Sequence, residues 1–170
     1  MAPEFIPVES PQQIAVTAEI AKRIWEQHYT SIIGGEQVRY MVEGLQSPSA
    51  IAIAIRDGGA RYFLIGVRGE PPVGYLCYER RGDTLFLSKI YLEDSQRGTG
   101  LGRRAFGFVC DRGRGLGCAK IELTVNRGNA IAIEAYRRWG MRHTGDKVAD
   151  IGGGFVMDDH VFVYDLDSTS

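Results

Sequence analysis

The chain has 170 residues, 44% of them hydrophobic and 24% charged, the ordinary balance of one globular domain with a single core. Its 20 Lys and Arg against 21 Asp and Glu leave a net charge of -1, which excludes a general nucleic-acid binder because phosphate-backbone affinity needs an excess of cations. No apolar run approaches the roughly 20 residues that span a bilayer, and the opening MAPEFIPVES has neither the cationic start nor the apolar stretch of a secretory leader, so the expectation is a cytoplasmic, single-domain protein over residues 1–170 with its core at about 4–167.

In chain order, residues 4–8 are expected to form a short first strand. Ser10-Pro11-Gln12-Gln13 is a helix start, with Ser10 as N-cap, Pro11 in the first helical position and Gln13 closing a capping box. Ile14, Ala18, Ala21 and Trp25 recur at helical spacing until His28, and TSIIGG breaks the run. Val38, Met41, Val42 and Leu45 mark a second amphipathic helix over 35–46. Residues 47–55, SPSAIAIAI, alternate like a strand but open like a helix, and a short helix is favoured.

From residue 61 the pattern changes to strands at 62–67, 73–79 and 85–92, with turns between them, an antiparallel meander. A helix over 100–114, a strand over 119–125, a helix from the N-cap Asn129 to Trp139, and strands at 141–150 and 155–165 complete an α+β chain without repeats. Cys77, Cys110 and Cys118 are widely spaced within apolar patterns and show no C-x-x-C, which predicts buried reduced thiols and no metal.

The chemistry-bearing stretch is LFLSKIYLEDSQRGTGLGRRA, residues 85–105: a strand, a polar loop, then a glycine-rich turn that opens a helix. Converging backbone N–H groups and the positive end of the helix dipole make such a turn an anion cradle. A P-loop is excluded, because Gly98 is followed by no Lys-Ser or Lys-Thr. A dinucleotide fingerprint fits on paper through Gly100-x-Gly102-x-x-Ala105 with Glu122, but a loop separates strand from glycines and no second βαβ unit precedes them.

The third pattern, R-x-x-G-x-G as Arg97-Gly98-Thr99-Gly100-Leu101-Gly102, is followed by LTVNRGNAIAIEAYRRWGM, with Asn126, Asn129, Tyr136 and Trp139-Gly140-Met141. In both segments and over nearly its whole length the chain resembles the GNAT (Gcn5-related N-acetyltransferase) superfamily, and more loosely its PaiA-like polyamine branch. That resemblance implies a mixed, mostly antiparallel sheet of six to seven strands with helices on both faces. It implies acetyl-CoA as co-substrate, with the pyrophosphate on the backbone of Arg97, Gly98, Thr99, Gly100, Leu101 and Gly102, further charge from Arg103 or Arg104, and pantetheine along Ile90, Tyr91 and Leu92 as an added strand. Such docking requires the strand at 119–125 to splay away. Asn129 would bond pantetheine, cap its helix, or both, and Tyr136 would be the general acid for the departing thiolate.

The acceptor would be a primary amine, and it needs a base or a water relay. Tyr91, Glu26, His28, Tyr29, Asp158, Asp159 and His160 are the candidates, with Tyr29 and Asp158 placed in the substrate site. The acidic run Asp146, Asp150, Asp158, Asp159, Asp165 and Asp167 against Lys147 suits a small cationic, polyamine-like acceptor. A protein or ribosomal N-terminus as acceptor, and an acyl-CoA-binding module without turnover, remain open alternatives. The last strand, FVMDDHVFVYDL, suits either pairing across a homodimer or an ordinary place in the sheet.

Overall fold

A computed structural model describes residues 2–166. The chain begins with β1 (Pro3–Pro7) and α1 (Pro11–His28), followed by the single turn α2 (Thr30–Ile33), α3 (Gly35–Tyr40) and α4 (Pro48–Asp57). Next come β2 (Arg61–Val67), β3 (Gly74–Arg81), β4 (Thr84–Leu92), α5 (Leu101–Gly115), β5 (Lys120–Asn126), α6 (Ala130–Arg138), β6 (Arg142–Gly152) and β7 (Phe155–Asp165). The seven strands form one sheet in the order β1-β2-β3-β4-β5-β7-β6. Asp167 lies outside the described residues.

The local signals act as read. Ser10 Oγ accepts from Gln13 N at 3.1 Å, and Gln13 Oε1 accepts from Ser10 N at 2.9 Å, so the capping box is complete. The ambiguous stretch 47–55 is a helix start: α4 begins at Pro48, and its N-cap Ser47 accepts through Oγ from Ala50 N at 3.2 Å. The predicted break TSIIGG contains the turn of α2, and the helix expected over 35–46 widens after Tyr40 into a π turn, Met41–Leu45, closed by Gln46 N on Met41 O at 2.9 Å. That wider turn rotates Gln46 inward, where it is buried and accepts from the Tyr75 hydroxyl.

Strand alternation builds two cores, one on each face of the sheet. Phe63, Ile65, Leu76, Leu85, Ile121 and Phe162 pack under α5 and α6, whereas Tyr62, Leu64, Tyr75 and Cys77 pack under α1, α3 and α4. The three cysteines are free and buried. Among the described residues no helix is long and apolar enough to cross a membrane. The last strand does not lie on an edge: β7 pairs with β5 on one side and β6 on the other, so the ordinary sheet position is the one it takes.

The feature that positions the site is a shortage of pairing at the centre. β4 and β5 are parallel neighbours only over Thr84–Phe86 and Lys120–Glu122, after which β5 stays with β7 along its length and leaves β4. The register of β3 against β4 slips at the same level, where Tyr78 faces Leu87 and Cys77 faces Lys89, so Ser88 is an extra, bulged residue whose Oγ donates to Cys77 O at 3.2 Å. The bulge turns β4 away from β5 and leaves the far edge of Ile90, Tyr91 and Leu92 without a strand partner among the described residues.

β3 supports that free segment from behind. Gly74 pairs with Leu92, and a Cβ there would collide with the Tyr91 carbonyl oxygen and stand 2.7 Å from Leu92 Cδ2. We expect Gly74→Ala to cost about 1–3 kcal/mol by overpacking, read as a lower midpoint in urea unfolding, and to displace the end of β4; an unchanged midpoint would show that β3 does not set its position.

Candidate active site

The opening between β4 and β5 holds two cavities. The larger, about 380 Å³, runs from the glycine-rich turn along Ile90, Tyr91 and Leu92 to Tyr136 of α6 and its N-cap Asn129, with His28 of α1 and its C-cap Tyr29 on the other side. The smaller, about 160 Å³, lies under α1 and the π turn and reaches Ser88 and Lys89 of β4, Thr124, Val125 and Asn126 of β5, and Asp159 of β7. Tyr29 and Tyr91 line both, so the cavities are neighbours across two phenol rings.

The turn is shaped by its glycines. Gly98 and Gly100 have φ of 74° and 80°, a left-handed conformation closed to most side chains, and Gly100 is the N-cap of α5. The first-turn amides of α5 have no preceding helical carbonyl and face the same mouth as the positive dipole end. Arg97 and Arg103 line the cavity, and Arg97 is held by Asp94 Oδ1 at 2.9 Å.

A polar chain ties this turn to α1 and α6. An Arg97 N–H donates to His28 Nδ1 at 3.2 Å; arginine can only donate, so the imidazole carries its proton on Nε2, which faces Asn129 Oδ1 at 3.4 Å. Asn129 Oδ1 also caps α6 by accepting from Ala132 N at 3.3 Å, while its Nδ2 donates to the Tyr29 hydroxyl at 2.9 Å. Arg23 Nε donates to Glu93 Oε1 at 2.7 Å and anchors the start of the loop to α1.

Burial sets the charge states around the shared wall. It pushes the Tyr29 phenol up to about 12, against partial compensation by its hydrogen bonds to Asn129 and Tyr91. It also raises Tyr91 and Tyr136 well above the ordinary phenol, with neighbouring phenols adding to the shift. All three are therefore neutral O–H groups near neutral pH. Asp159 is raised as well, by burial first, with the Thr124 hydroxyl opposing.

A cavity along a free strand edge, a glycine turn at a helix start and a buried phenol at the far end are features of an acyl-CoA site, and comparison with known proteins agrees. The acetyltransferase (GNAT) family profile matches residues 20–141. The chain belongs to the GNAT family.

Among solved structures, the PaiA N-acetyltransferase of Thermoplasma acidophilum in complex with coenzyme A is similar over 97% of this chain and 99% of its own, at 16% identity and a TM-score of 0.76. A GCN5-related N-acetyltransferase from Rhodopseudomonas palustris reaches a TM-score of 0.79 at 18% identity, covering 98% and 97% of the two chains. The ribosomal-protein-S18-alanine N-acetyltransferase of Escherichia coli reaches 0.68 at 16% identity, covering 99% and 97%. At these identities the likeness is one of fold. Among curated protein sequences none matches the chain.

As a GNAT acetyltransferase the protein uses acetyl-CoA as co-substrate, and its residues suit that molecule: the free β4 edge offers backbone partners and the turn a cradle without Cβ atoms. Of the residues predicted for it, Ile90, Tyr91, Leu92, Arg97, Gly98, Gly100, Gly102, Arg103, Asn129 and Tyr136 come together in the larger cavity. Thr99 and Leu101 do not line it. The Thr99 hydroxyl donates to Gln96 O at 2.7 Å and braces the turn, and Leu101 is buried in the core beneath it.

On the acceptor side the structure separates two neighbours. Asp158 is outside both cavities; it is exposed and bonded to Arg127 Nε at 2.6 Å. Side chains alternate along β7, so Asp159 is the one that turns under α1, beside Thr124 and Asn126. The acidic run is largely neutralised. Arg127 also pairs with Asp146 at 3.0 Å, whose Oδ1 accepts from His143 at 2.8 Å and His160 at 2.6 Å, and Arg142 pairs with Asp165 at 3.0 Å. Glu26 and His160 lie outside both cavities. Sequence reasoning missed Trp139, whose ring lines the larger cavity, and Gln46 and Ser88 in the smaller one.

Asn129 serves as cap and crosslink at once. Asn129→Ala should cost about 1–3 kcal/mol from the lost cap and the lost hydrogen bond to the buried Tyr29 hydroxyl, measured by thermal and urea unfolding; Asn129→Ser, which restores a cap alone, should recover only part of it.

Proposed function

We propose that this GNAT enzyme acetylates the primary amine of a small molecule by direct attack, with the acceptor entering through the smaller cavity and acetyl-CoA held in the larger one. The observation that carries this reading is the pair of cavities on either side of Tyr29 and Tyr91, the second only about 160 Å³ in volume. The reaction replaces a thioester C–S bond by an amide C–N bond; the ammonium gives up its proton on the acceptor side, to a carboxylate or to water, before it attacks, and the departing thiolate takes a proton up. Tyr136 stands on α6 and faces the larger cavity, and its phenol O–H is the group placed to supply that proton. Arg97, Arg103 and the first-turn amides of α5 supply donors for the pyrophosphate, and the free edge of β4 supplies those for pantetheine. Asn129, bonded to Tyr29, keeps the wall between the two cavities in place.

A peptide N-terminus as acceptor would need an extended groove for several residues of backbone, which a cavity of about 160 Å³ offers less readily than it offers room for a compact amine. Thiol release with a panel of small amines against alanine-initiated peptides tests this: a clear preference for peptides overturns the small-molecule reading.

The acid is tested by Tyr136→Phe, which removes one oxygen from a packed ring. We expect kcat to fall by about 10²-fold or more, with the Kd for CoA, measured by titration calorimetry, changed less than about twofold. Unaltered turnover would remove Tyr136 from this role. Arg97→Ala should weaken CoA by about tenfold, the worth of one charge-assisted contact, while leaving pantetheine, which has no pyrophosphate, nearly unaffected. Equal losses for both ligands would count against pyrophosphate contact.

A further inference from the structure

We infer that Asp159 is the ammonium-binding residue of the acceptor cavity, and that this cavity takes a primary amine with one positive charge and an apolar body no larger than about a phenyl ring. The inference rests on the two-cavity reading above and names the acceptor class.

Asp159 is 8% exposed, and its Oδ1 is buried without a hydrogen-bond partner. It is the one buried side-chain oxygen or nitrogen in that condition among the described residues. An orphaned carboxylate oxygen costs free energy unless something supplies a donor. The Thr124 hydroxyl bonds to the carboxyl, and Lys147 and His160 add favourable charge nearby, but Oδ1 itself is left without a donor, and Arg127 is committed to Asp146 and Asp158. A primary ammonium brings three N–H donors and a charge of the required sign.

The position suits the reaction. Asp159 lies opposite Asn126 at the open end of β5 and lines the cavity that shares Tyr29 and Tyr91 with the acetyl-CoA side. Its charge is felt at the Tyr29 phenol. An amine held at Asp159 is therefore kept at the mouth between the cavities, where a thioester carried along β4 would arrive; there the ammonium passes one N–H proton to the Asp159 carboxylate, and the freed lone pair makes the attack.

The walls define the rest of the acceptor. Trp25, Tyr29, Met41, Leu45 and Met157 contribute apolar and aromatic surface, with Thr124 as the hydroxyl beside the carboxyl. A volume of about 160 Å³ is close to the roughly 150 Å³ of an apolar cavity that accepts benzene. A second ammonium finds no second carboxylate in this lining. It meets Lys89, whose own ammonium lies 5.5 Å from the Tyr62 ring centroid. The geometry thus disfavours the polyamine-like acceptor that the acidic sequence run suggests.

The test uses the full chain saturated with CoA and titration calorimetry with 2-phenylethylamine, its uncharged analogue 2-phenylethanol, and spermidine. The amine should bind at least about tenfold more tightly than either of the others, a typical gain for a charge-assisted pair. Asp159→Asn should abolish that advantage while leaving the Kd for CoA unchanged. Met157→Trp, which fills the cavity and keeps the carboxylate, should also block the amine, so a misfolded Asp159 variant does not end the test. An unchanged amine affinity in Asp159→Asn, or tighter binding of spermidine, overturns the inference. Thiol release measured in parallel separates the two readings: Asp159-dependent binding without release of CoA refutes acetyl transfer to such amines but keeps the site, whereas transfer with an unaltered KM in Asp159→Asn refutes the site and keeps the activity.

Discussion

The structure depends on a parallel pair that stops early. β4 and β5 share hydrogen bonds over three residues each and then separate, so the centre of the sheet, where a continuous ladder is the ordinary solution, contains two open strand edges. Unpaired backbone at a sheet centre is costly if nothing covers it, and two devices maintain the opening here. The Ser88 bulge aims β4 away from its neighbour, and β5 finds its full ladder with β7 instead. Each half of the split sheet then has its own support, β3 behind β4 and β7 beside β5, so the gap can persist without weakening either core. The exposed edge of β4 presents a row of backbone groups to an extended ligand, the logic of strand addition applied to a small molecule.

Helices close the gap from both sides, and burial makes the closure electrostatically quiet. The phenols of Tyr29, Tyr91 and Tyr136 are all shifted toward the neutral form by loss of water, and the polar chain from Arg97 through His28 and Asn129 to Tyr29 satisfies the groups that the helix ends bring inside. Arg97 and Arg103 line the larger cavity at the turn, where an anion is expected, and Asp159 lines the smaller one.

What could be read in the sequence was local. The glycines at 98 and 100 demand left-handed backbone, Asn129 caps a helix because of its own side chain, and Ser47-Pro48 starts a helix despite the alternation that follows, each decided by a few neighbouring residues. What escaped was set by pairing between distant strands. The bulge at Ser88 has no glycine or proline to announce it, since a serine hydroxyl bonded to Cys77 stabilises it. The choice between Asp158 and Asp159 is one of strand parity: a one-residue difference exchanges the faces of the sheet, and only the register of β7 against β5 fixes which carboxyl turns inward. Gln46 was hidden for a related reason, because a π turn displaces the helical phase by one residue.

The two ends of the site also differ in how much they depend on side chains. The turn and the edge of β4 offer backbone groups, so different side chains can line the same opening provided that the glycines and the split are kept; this is consistent with folds that superimpose over whole chains at 16 to 18% identity. The acceptor cavity is built otherwise. Its walls come from α1, the π turn, β4, β5 and β7, and among the described residues the one buried side-chain oxygen or nitrogen without a partner, Asp159 Oδ1, belongs to it. A single substitution there changes the charge or the volume that an acceptor meets, without touching the donor cradle. In this chain the smaller cavity is lined by Asp159 together with the rings of Trp25, Tyr29 and Tyr91.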